Sequence, residues 1–274
     1  MRWFLNKLPE SIRAPLRDLW HKVNIVLVPR RKLATFAPAQ YYRALLQDKR
    51  IDCVIDVGAN EGQFAEFLRN DVGYDGQIVS FEPVSQTYSE LQLKAARDGH
   101  WDTVRAALGE ESGSATINIA ASNVFSSFLS VSSDDLYHSL SRPVTREQVP
   151  IYRLDSFSER FSGFKHLLLK TDTQGFDLAV LRGAQGLLDR IEGIQVELSF
   201  IPIYDGMPLW RDVLQELEAR GYVLSNMFPI AMHHLNTVEF DCIVVKKSSA
   251  SPGDHYRYED LLLRRGSRRL PSPV

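Results

Sequence analysis

Four short segments carry the side chains that could do chemistry. The first, Asp56-Val57-Gly58-Ala59-Asn60-Glu61-Gly62, joins a short apolar run to a helical pattern. At such a junction Gly58 permits a tight turn and close approach of backbone to a ligand, and Gly62 lets the helix begin near the sheet. The helix N-terminus favours a carboxylate or phosphate there. The spacing is not GxGxxG, because Asn60 stands where that fingerprint has its second glycine. The second segment ends in Glu82, twenty-six positions after Asp56, at the close of the next apolar run. A carboxylate at this place can accept hydrogen bonds from both hydroxyls of a ribose. The third, Lys170-Thr171-Asp172-Thr173-Gln174-Gly175-Phe176-Asp177, ends another run, so Asp172 should face the crevice that Gly58 faces. The fourth, Gln195-Val196-Glu197-Leu198-Ser199, puts Glu197 inside an apolar run, where an acid needs a partner.

Each feature has a plain alternative: an ordinary strand-to-helix turn, a solvated glutamate, a structural ion pair. The glycine loop and Glu82 fall within one strand-helix-strand unit, and that pairing argues for a nucleotide-like ligand. A pyrophosphate would call for more glycines in the loop. Asp56 and Asn60 instead offer polar groups to an adenosine that carries an amino acid, which turns the reading from a nicotinamide dinucleotide toward S-adenosylmethionine (SAM).

The elements that must position these residues follow from periodicity. Residues 1–50 read as a helical extension broken at Pro9, Pro15, Pro29 and Pro38, with helices over about 14–28 and 38–48. From Ile51 the pattern becomes IDCVIDVG as strand, GQFAEFLRN as helix, QIVSFEP as strand, VSQTYSELQLKAARDG as helix and DTVRAALG as strand. That alternation marks a parallel sheet with crossover helices. Residues 113–165 differ, with strands SATINIAA and VPIYRLDSF around a Ser-rich, loop-like stretch. The parallel pattern resumes with HLLLKTD as strand, FDLAVLRGAQGLLDR as helix, GIQVELSF as strand and PLWRDVLQELEARG as helix. YVLSNMF and VEFDCIVVKK close the sheet as an antiparallel hairpin. The α/β body is thus 51–247, and 248–274 is a polar tail with a weak helix over 258–264.

In order along the chain, DVGANEGQFAEFLR, IVSFEPVSQTYSEL, AALGEESGSATI, SSFL, YRLDSF, LKTDTQGFDLAVLRGAQGLL, VELSFIPIYDG and FDCIVV resemble FkbM-type methyltransferases, from about Ile51 to Val245. The resemblance implies an α/β, class I, Rossmann-like fold with a seven-stranded, mostly parallel sheet whose last strand is antiparallel. It implies that Asp56, Gly58, Ala59, Asn60 and Gly62 hold the methionine part of SAM and Glu82 the ribose. Pro83, Val84, Ala107 and Leu108 would line the adenine pocket. Lys170, Asp172, Gly175 and Glu197 match a polar cluster near the transfer site, and Ser126 and Ser127 a segment that touches SAM or acceptor. This chain has Gln174 and Asp177 where many members have Glu, which puts the charge there, and any metal role of Asp177, in question.

The expected reaction moves the methyl of SAM to a hydroxyl oxygen, with S-adenosylhomocysteine as product. Asp172 is the first candidate for general base or acceptor anchor, Glu197 the second, and Lys170 stands beside them. A divalent ion on Asp172 and Glu197 is conceivable but not favoured, because no His-rich spacing supports it. Tyr204 and Trp210 offer aromatic faces to an acceptor, and His233 and His234 precede the final strand where a lid could lie; packing is the plain alternative for all four. The acceptor expected is a saccharide, glycan or glycolipid, with a polyketide or other small natural product as the alternative. A non-catalytic SAM-binding protein would not need the polar cluster. A base N-methyltransferase would need an Asn-Pro-Pro-Tyr type motif, which is absent.

Composition bounds the rest. The chain has 274 residues and a net charge of −2, which argues against a nucleic-acid-coating protein. That charge is unevenly placed. Residues 1–32 hold eight Lys or Arg against two acids, 261–274 hold four Arg and no acid, and the acidic excess lies between. With Trp3, Phe4, Leu5 and Trp20, the basic N-terminal segment could touch an anionic membrane, or pack on the acidic body or a partner subunit of a homo-oligomer. Cys53 and Cys242 sit in apolar runs and are too few for a disulfide framework, and no run is long enough to span a bilayer. No signal-peptide pattern opens the sequence, so a cytoplasmic or membrane-peripheral location is expected.

Overall fold

The computed structural model describes residues 28–120, 127–129, 143–201 and 203–247. The expected helix over 14–28 but for its last residue, the expected helix over 258–264, and Ser126 lie outside them. The described strands form two sheets. The larger has seven strands: β1 (Cys53–Val57), β2 (Gln77–Phe81), β3 (Trp101–Val104), β7 (Leu167–Thr171), β8 (Ile191–Ser199), β9 (Tyr222–His233) and β10 (Asn236–Lys246). Their spatial order is β3-β2-β1-β7-β8-β10-β9, with β10 antiparallel to both neighbours and the pairs from β3 to β8 parallel. This is the mostly parallel sheet with an antiparallel last strand that the resemblance implied. The order reverses at β1, whose carboxyl end is therefore a crevice.

Alternation along the strands sends the two faces into two cores. Ile55, Val79, Leu169, Val196 and Cys242 pack on one face with Leu154, Phe161, Leu181 and Leu217. Val54, Ile78, Leu168 and Ile243 pack on the other with Tyr42, Leu68 and Leu91. These last three come from the helices α1 (Leu33–Asp48), α2 (Gln63–Phe67, continued by a π-turn to Val72) and α3 (Ser85–Ala95). Each fully buried Ile, Leu or Val contributes about 1.5–3 kcal/mol, which is what clamps the helices to the sheet.

One row across the second face is polar. Ser80, Asp56, Lys170 and Gln195 occupy paired positions on β2, β1, β7 and β8. Trp101 Nε1 donates to Ser80 Oγ at 2.9 Å, Ser80 Oγ donates to Asp56 Oδ2 at 3.2 Å, and Asp56 Oδ1 pairs with Lys170 Nζ at 3.1 Å. Tyr42 donates its hydroxyl to Gln195, whose Nε2 donates to Asp241 at 2.8 Å. These hydrogen bonds and the Asp56–Lys170 ion pair are what make such a buried row tolerable.

Three readings of the sequence change in detail. DTVRAALG is not one strand: β3 ends at Val104, and β4 (Ala107–Leu108) joins a second sheet with β5 (Gly113–Ala120) and β6 (Pro143–Tyr152), ordered β4-β6-β5. The helix over FDLAVLRGAQGLLDR is cut to α4 (Asp177–Arg182) and a 3₁₀ turn at Gln185–Leu187. A Cβ on Gly183 would lie 2.0 Å from the Gly109 carbonyl oxygen, so the chain breaks where it presses on the second sheet. Helix α1 begins five residues before Pro38 and carries it inside. The helix of PLWRDVLQELEARG is α5 (Trp210–Ala219), closed by Gly221 at φ +85°.

Candidate active site

At the carboxyl ends of β1, β2, β7 and β8 lies a cavity of about 420 Å³, within the range of small-molecule sites. Gly58, Asn60, Glu82, Asp172, Gln174, Glu197 and Glu239 supply its polar lining. Pro83, Val84, Ala107, Leu108, Ile117 and Phe128 supply an apolar wall.

The loop after β1 is held by close packing. Gly58 and Ala59 donate their N–H groups to the Phe81 carbonyl, both at 3.0 Å. Gly58 has φ +71°, and a Cβ there would sit 2.0 Å from the Asp172 carbonyl oxygen. Gly58→Ala is therefore expected to lose about 2–3 kcal/mol of stability, from the left-handed backbone and the forced shift of the β7 end. Urea denaturation measures this, and a variant as stable as the parent would contradict it. Gly62, at φ +90°, rests on Trp101, whose ring a Cβ would meet at 2.6 Å.

Glu82 is buried, and its two oxygens accept the N–H groups of Asn60 and Val84, each at 2.9 Å. It thus locks the glycine loop to the end of β2 while still lining the cavity. Two N–H bonds leave roughly two of a carboxylate's four acceptor positions for a ligand. Burial pushes its pKa up to about 7, against the opposing pull of those N–H groups. Nearby, the buried side-chain oxygen of Asn60 has no hydrogen-bond partner among the described residues.

Asp172 stands at the other end, its side chain 36% exposed. Its Oδ1 accepts from Gln174 Nε2 at 3.1 Å, and Oδ2 lies 3.5 Å from Lys170 Nζ. Gln174 Nε2 also reaches Glu197 Oε1 at 3.4 Å, and Gln174 Oε1 accepts from the Tyr204 hydroxyl at 2.8 Å. The departure from Glu at position 174 therefore supplies an amide that bridges two carboxyl groups. Burial pushes the Glu197 carboxyl well above the usual range, and the charges of Asp172 and Glu239 push the same way. For Lys170, burial works against the charged form, but the carboxylates of Asp56 and Asp172 outweigh it and the pKa is raised.

The residues singled out from sequence are thus distributed unevenly. Gly58, Asn60, Glu82, Pro83, Val84, Ala107, Leu108, Ser127, Asp172 and Glu197 line the cavity. Asp56, Ala59 and Lys170 are buried beneath it, and Lys170 Nζ donates to the Gly58 carbonyl at 3.2 Å, so they hold the loop from below. Ser127 donates its hydroxyl to the Gln174 carbonyl at 2.9 Å. Tyr204 is buried and lines, with Asp177, a side cavity of about 10 Å³. Trp210 packs edge-on against Phe200. His233 and His234 are exposed at the β9–β10 turn and line neither cavity. Among the described residues, no group of three His, Cys, Asp or Glu side chains is arranged to hold a metal ion.

Sequence reasoning passed over Glu239, which lines both cavities. The signal was present: Glu239 and Asp241 alternate with Phe240 and Cys242 in an apolar strand, so the demand for a buried partner applied to Glu239 as it did to Glu197.

Comparison with solved structures finds distant likenesses. A methyltransferase FkbM from Methylobacillus flagellatus KT is 13% identical over 71% of this chain, with a TM-score of 0.45, and this chain spans only 43% of that protein's length. The magnesium protoporphyrin IX methyltransferase of Synechocystis PCC 6803, solved with bound SAM, is 9% identical over 84% of this chain and 90% of its own, with a TM-score of 0.43. Fibrillarin from Aeropyrum pernix, also solved with SAM, is 10% identical over 75% of this chain and 74% of its own, at 0.41. A search of curated proteins returned no match. The model of the methyltransferase FkbM domain matches residues 56–224, from the buried Asp56 of β1 into β9. That match spans more than half of the chain and includes both ends of the cavity, so the chain belongs to the FkbM methyltransferase family.

Proposed function

We propose that this protein transfers a methyl group from SAM to a hydroxyl oxygen of a saccharide, glycan or glycolipid. The observation that carries the reading is one cavity with Glu82 and an apolar wall at one end and Asp172 with Glu197 at the other. The residues fit SAM. Glu82 has acceptor positions left for the two ribose hydroxyls, Pro83, Val84, Ala107 and Leu108 offer a slot for adenine, and the unpartnered Asn60 oxygen suits the α-ammonium group. When bound, SAM supplies a methyl already made electrophilic by the sulfonium. The protein's own part is to align the hydroxyl and take its proton. Alignment is worth up to about 7–11 kcal/mol and a general base about 10²–10⁴-fold. Carboxyl groups and the Gln174 amide at the acceptor end suit a polyhydroxyl ligand better than a wholly apolar one.

A thermal-shift panel of SAM, S-adenosylhomocysteine, NAD and NADP tests the cofactor; stabilisation by a nicotinamide alone would overturn it. Mass spectrometry of glycans and lipids from cells with and without the protein tests the acceptor, and a methylated polyketide in place of a methylated sugar would favour the small-molecule alternative. The basic segment 1–32 is proposed as a peripheral membrane contact, read by vesicle co-sedimentation with and without anionic lipid.

Glu82 adds a pH signature. Ribose hydroxyls donate to its ionised form, so binding lowers its pKa and affinity rises as pH climbs through about 7. SAM should bind about tenfold more weakly at pH 6 than at pH 8, and Glu82→Gln should flatten that dependence. Calorimetry across that range decides it; a flat profile in the parent protein would remove Glu82 from the ribose.

A further inference from the structure

Glu239 lies beyond residues 56–224, the segment that the family model matches. On β10 it is the ladder partner of Ser199, and Asp241 that of Glu197, so alternation puts Glu197, Ser199, Glu239 and Asp241 on one face of the sheet. Asp172, Glu197 and Glu239 all line the main cavity, and Glu197 and Glu239 stand on one face of adjacent strands, two residues apart in register. Ser199 Oγ donates to Glu239 Oε1 at 3.4 Å. Glu197, Glu239 and Gln174 also line the side cavity, and so form the wall between the two spaces.

Cations are scarce here. Lys170 is 3.5 Å from Asp172 but is already bound to Asp56 at 3.1 Å and to the Gly58 carbonyl at 3.2 Å. Among the described residues, no Arg, Lys or His lines either cavity. Carboxyl groups gathered in one cavity with a single shared cation nearby favour the acid form of Glu197, which burial and the charges of Asp172 and Glu239 push up.

We propose that Glu239 is a positioning residue for methyl transfer: it accepts the hydrogen bond of the acid form of Glu197, parks the trio's proton away from the acceptor, and leaves the Asp172 carboxylate to receive the acceptor's proton. This rests on the methyl-transfer reading above. In the step it serves, the O–CH₃ bond forms as the S–CH₃ bond breaks with its electron pair passing to sulfur, and the hydroxyl proton passes to Asp172. Burial raises the Glu239 carboxyl, and its hydrogen bonds with Glu197 and Ser199 oppose that rise, as a proton-accepting neighbour of Glu197 requires. The groups that face Glu239 are Glu197 and Ser199 from β8, Asp172 from the end of β7, Asp177 from α4 across the side cavity, Tyr204 from the loop before α5, and Asp241 from its own strand. Its partner on β9 is Ala231, which carries no charge.

The test is a carboxyl-carbon NMR titration of the ¹³C-labelled protein alone, with the Glu197 signal assigned by its loss in Glu197→Gln. The wild-type signal should titrate well above the ordinary value of about 4.3. Removing a negative neighbour eases ionisation, so Glu239→Gln and Glu239→Ala should each lower that midpoint by about one pH unit or more. In turnover, kcat should fall while the KM for SAM holds, because a Glu197 that has lost its proton sets a like charge beside the Asp172 base. An unmoved Glu197 midpoint in a variant that melts like the parent overturns the proposal, and so does a wild-type Glu197 that titrates as an ordinary carboxyl. Because the titration is read without ligand, a protein that transfers no methyl would sink the methyl-transfer reading and still decide whether Glu239 holds the Glu197 proton.

Discussion

Asp172→Asn should lower methyl transfer by about 10²–10⁴-fold and leave SAM affinity within about twofold. The substitution is nearly isosteric. The amide oxygen it introduces could still accept from Gln174, so the loop after β7 keeps its bridge to Glu197. What it loses is the capacity to take a proton at the end of the cavity opposite Glu82. Calorimetry with SAM separates the two effects from each other, and single-turnover assays with a glycan pool read the chemical step. Near-normal turnover would remove Asp172 as base and pass the role to Glu197 or Glu239. Loss of SAM binding along with turnover would mean instead that the side chain organises the cofactor end.

The other large effect is structural. Lys170→Met should destabilise the fold by about 3–5 kcal/mol, the usual consequence of removing one partner of a buried pair. Asp56 is wholly buried, and after the substitution it would keep only the Ser80 hydroxyl. Lys170 also donates to the Gly58 carbonyl, so the glycine loop would loosen as well. The double variant Lys170→Met/Asp56→Asn removes both charges and should recover a good part of the loss. Chemical denaturation of the two proteins decides it. A double variant no more stable than the single one would show that the Gly58 contact, not the stranded charge, carries the energy.

Much of the site could be read from residue types because its chemistry is tied to strand ends. Each run that ends in Asp, Glu or a glycine loop becomes a strand whose carboxyl end opens on the crevice, and so Gly58, Glu82, Asp172 and Glu197 arrive at one cavity. The same logic has no means of telling a lining residue from one a layer below. Asp56 and Asp172 look alike in sequence, yet Asp56 points into the row with Ser80 and Lys170 and Asp172 into the cavity. Aromatic and histidine candidates were harder still. Tyr204 is spent on Gln174, and His233 and His234 stand on a turn that projects from the sheet. Their placement depends on how far the β9–β10 hairpin extends, which periodicity does not report.

By itself, the sequence determined the parallel sheet, the antiparallel last strand and the family, because hydrophobic period and strand-end motifs are local properties of the chain. Only the tertiary structure decided that DTVRAALG divides between two sheets, that Gly183 breaks a helix against Gly109, and that Glu239 joins Asp172 and Glu197. The physical reason is common to all three. Each depends on what another segment presents at a given point: a carbonyl 2.0 Å from a missing Cβ, an open edge on β6, or a second carboxyl across a strand pair.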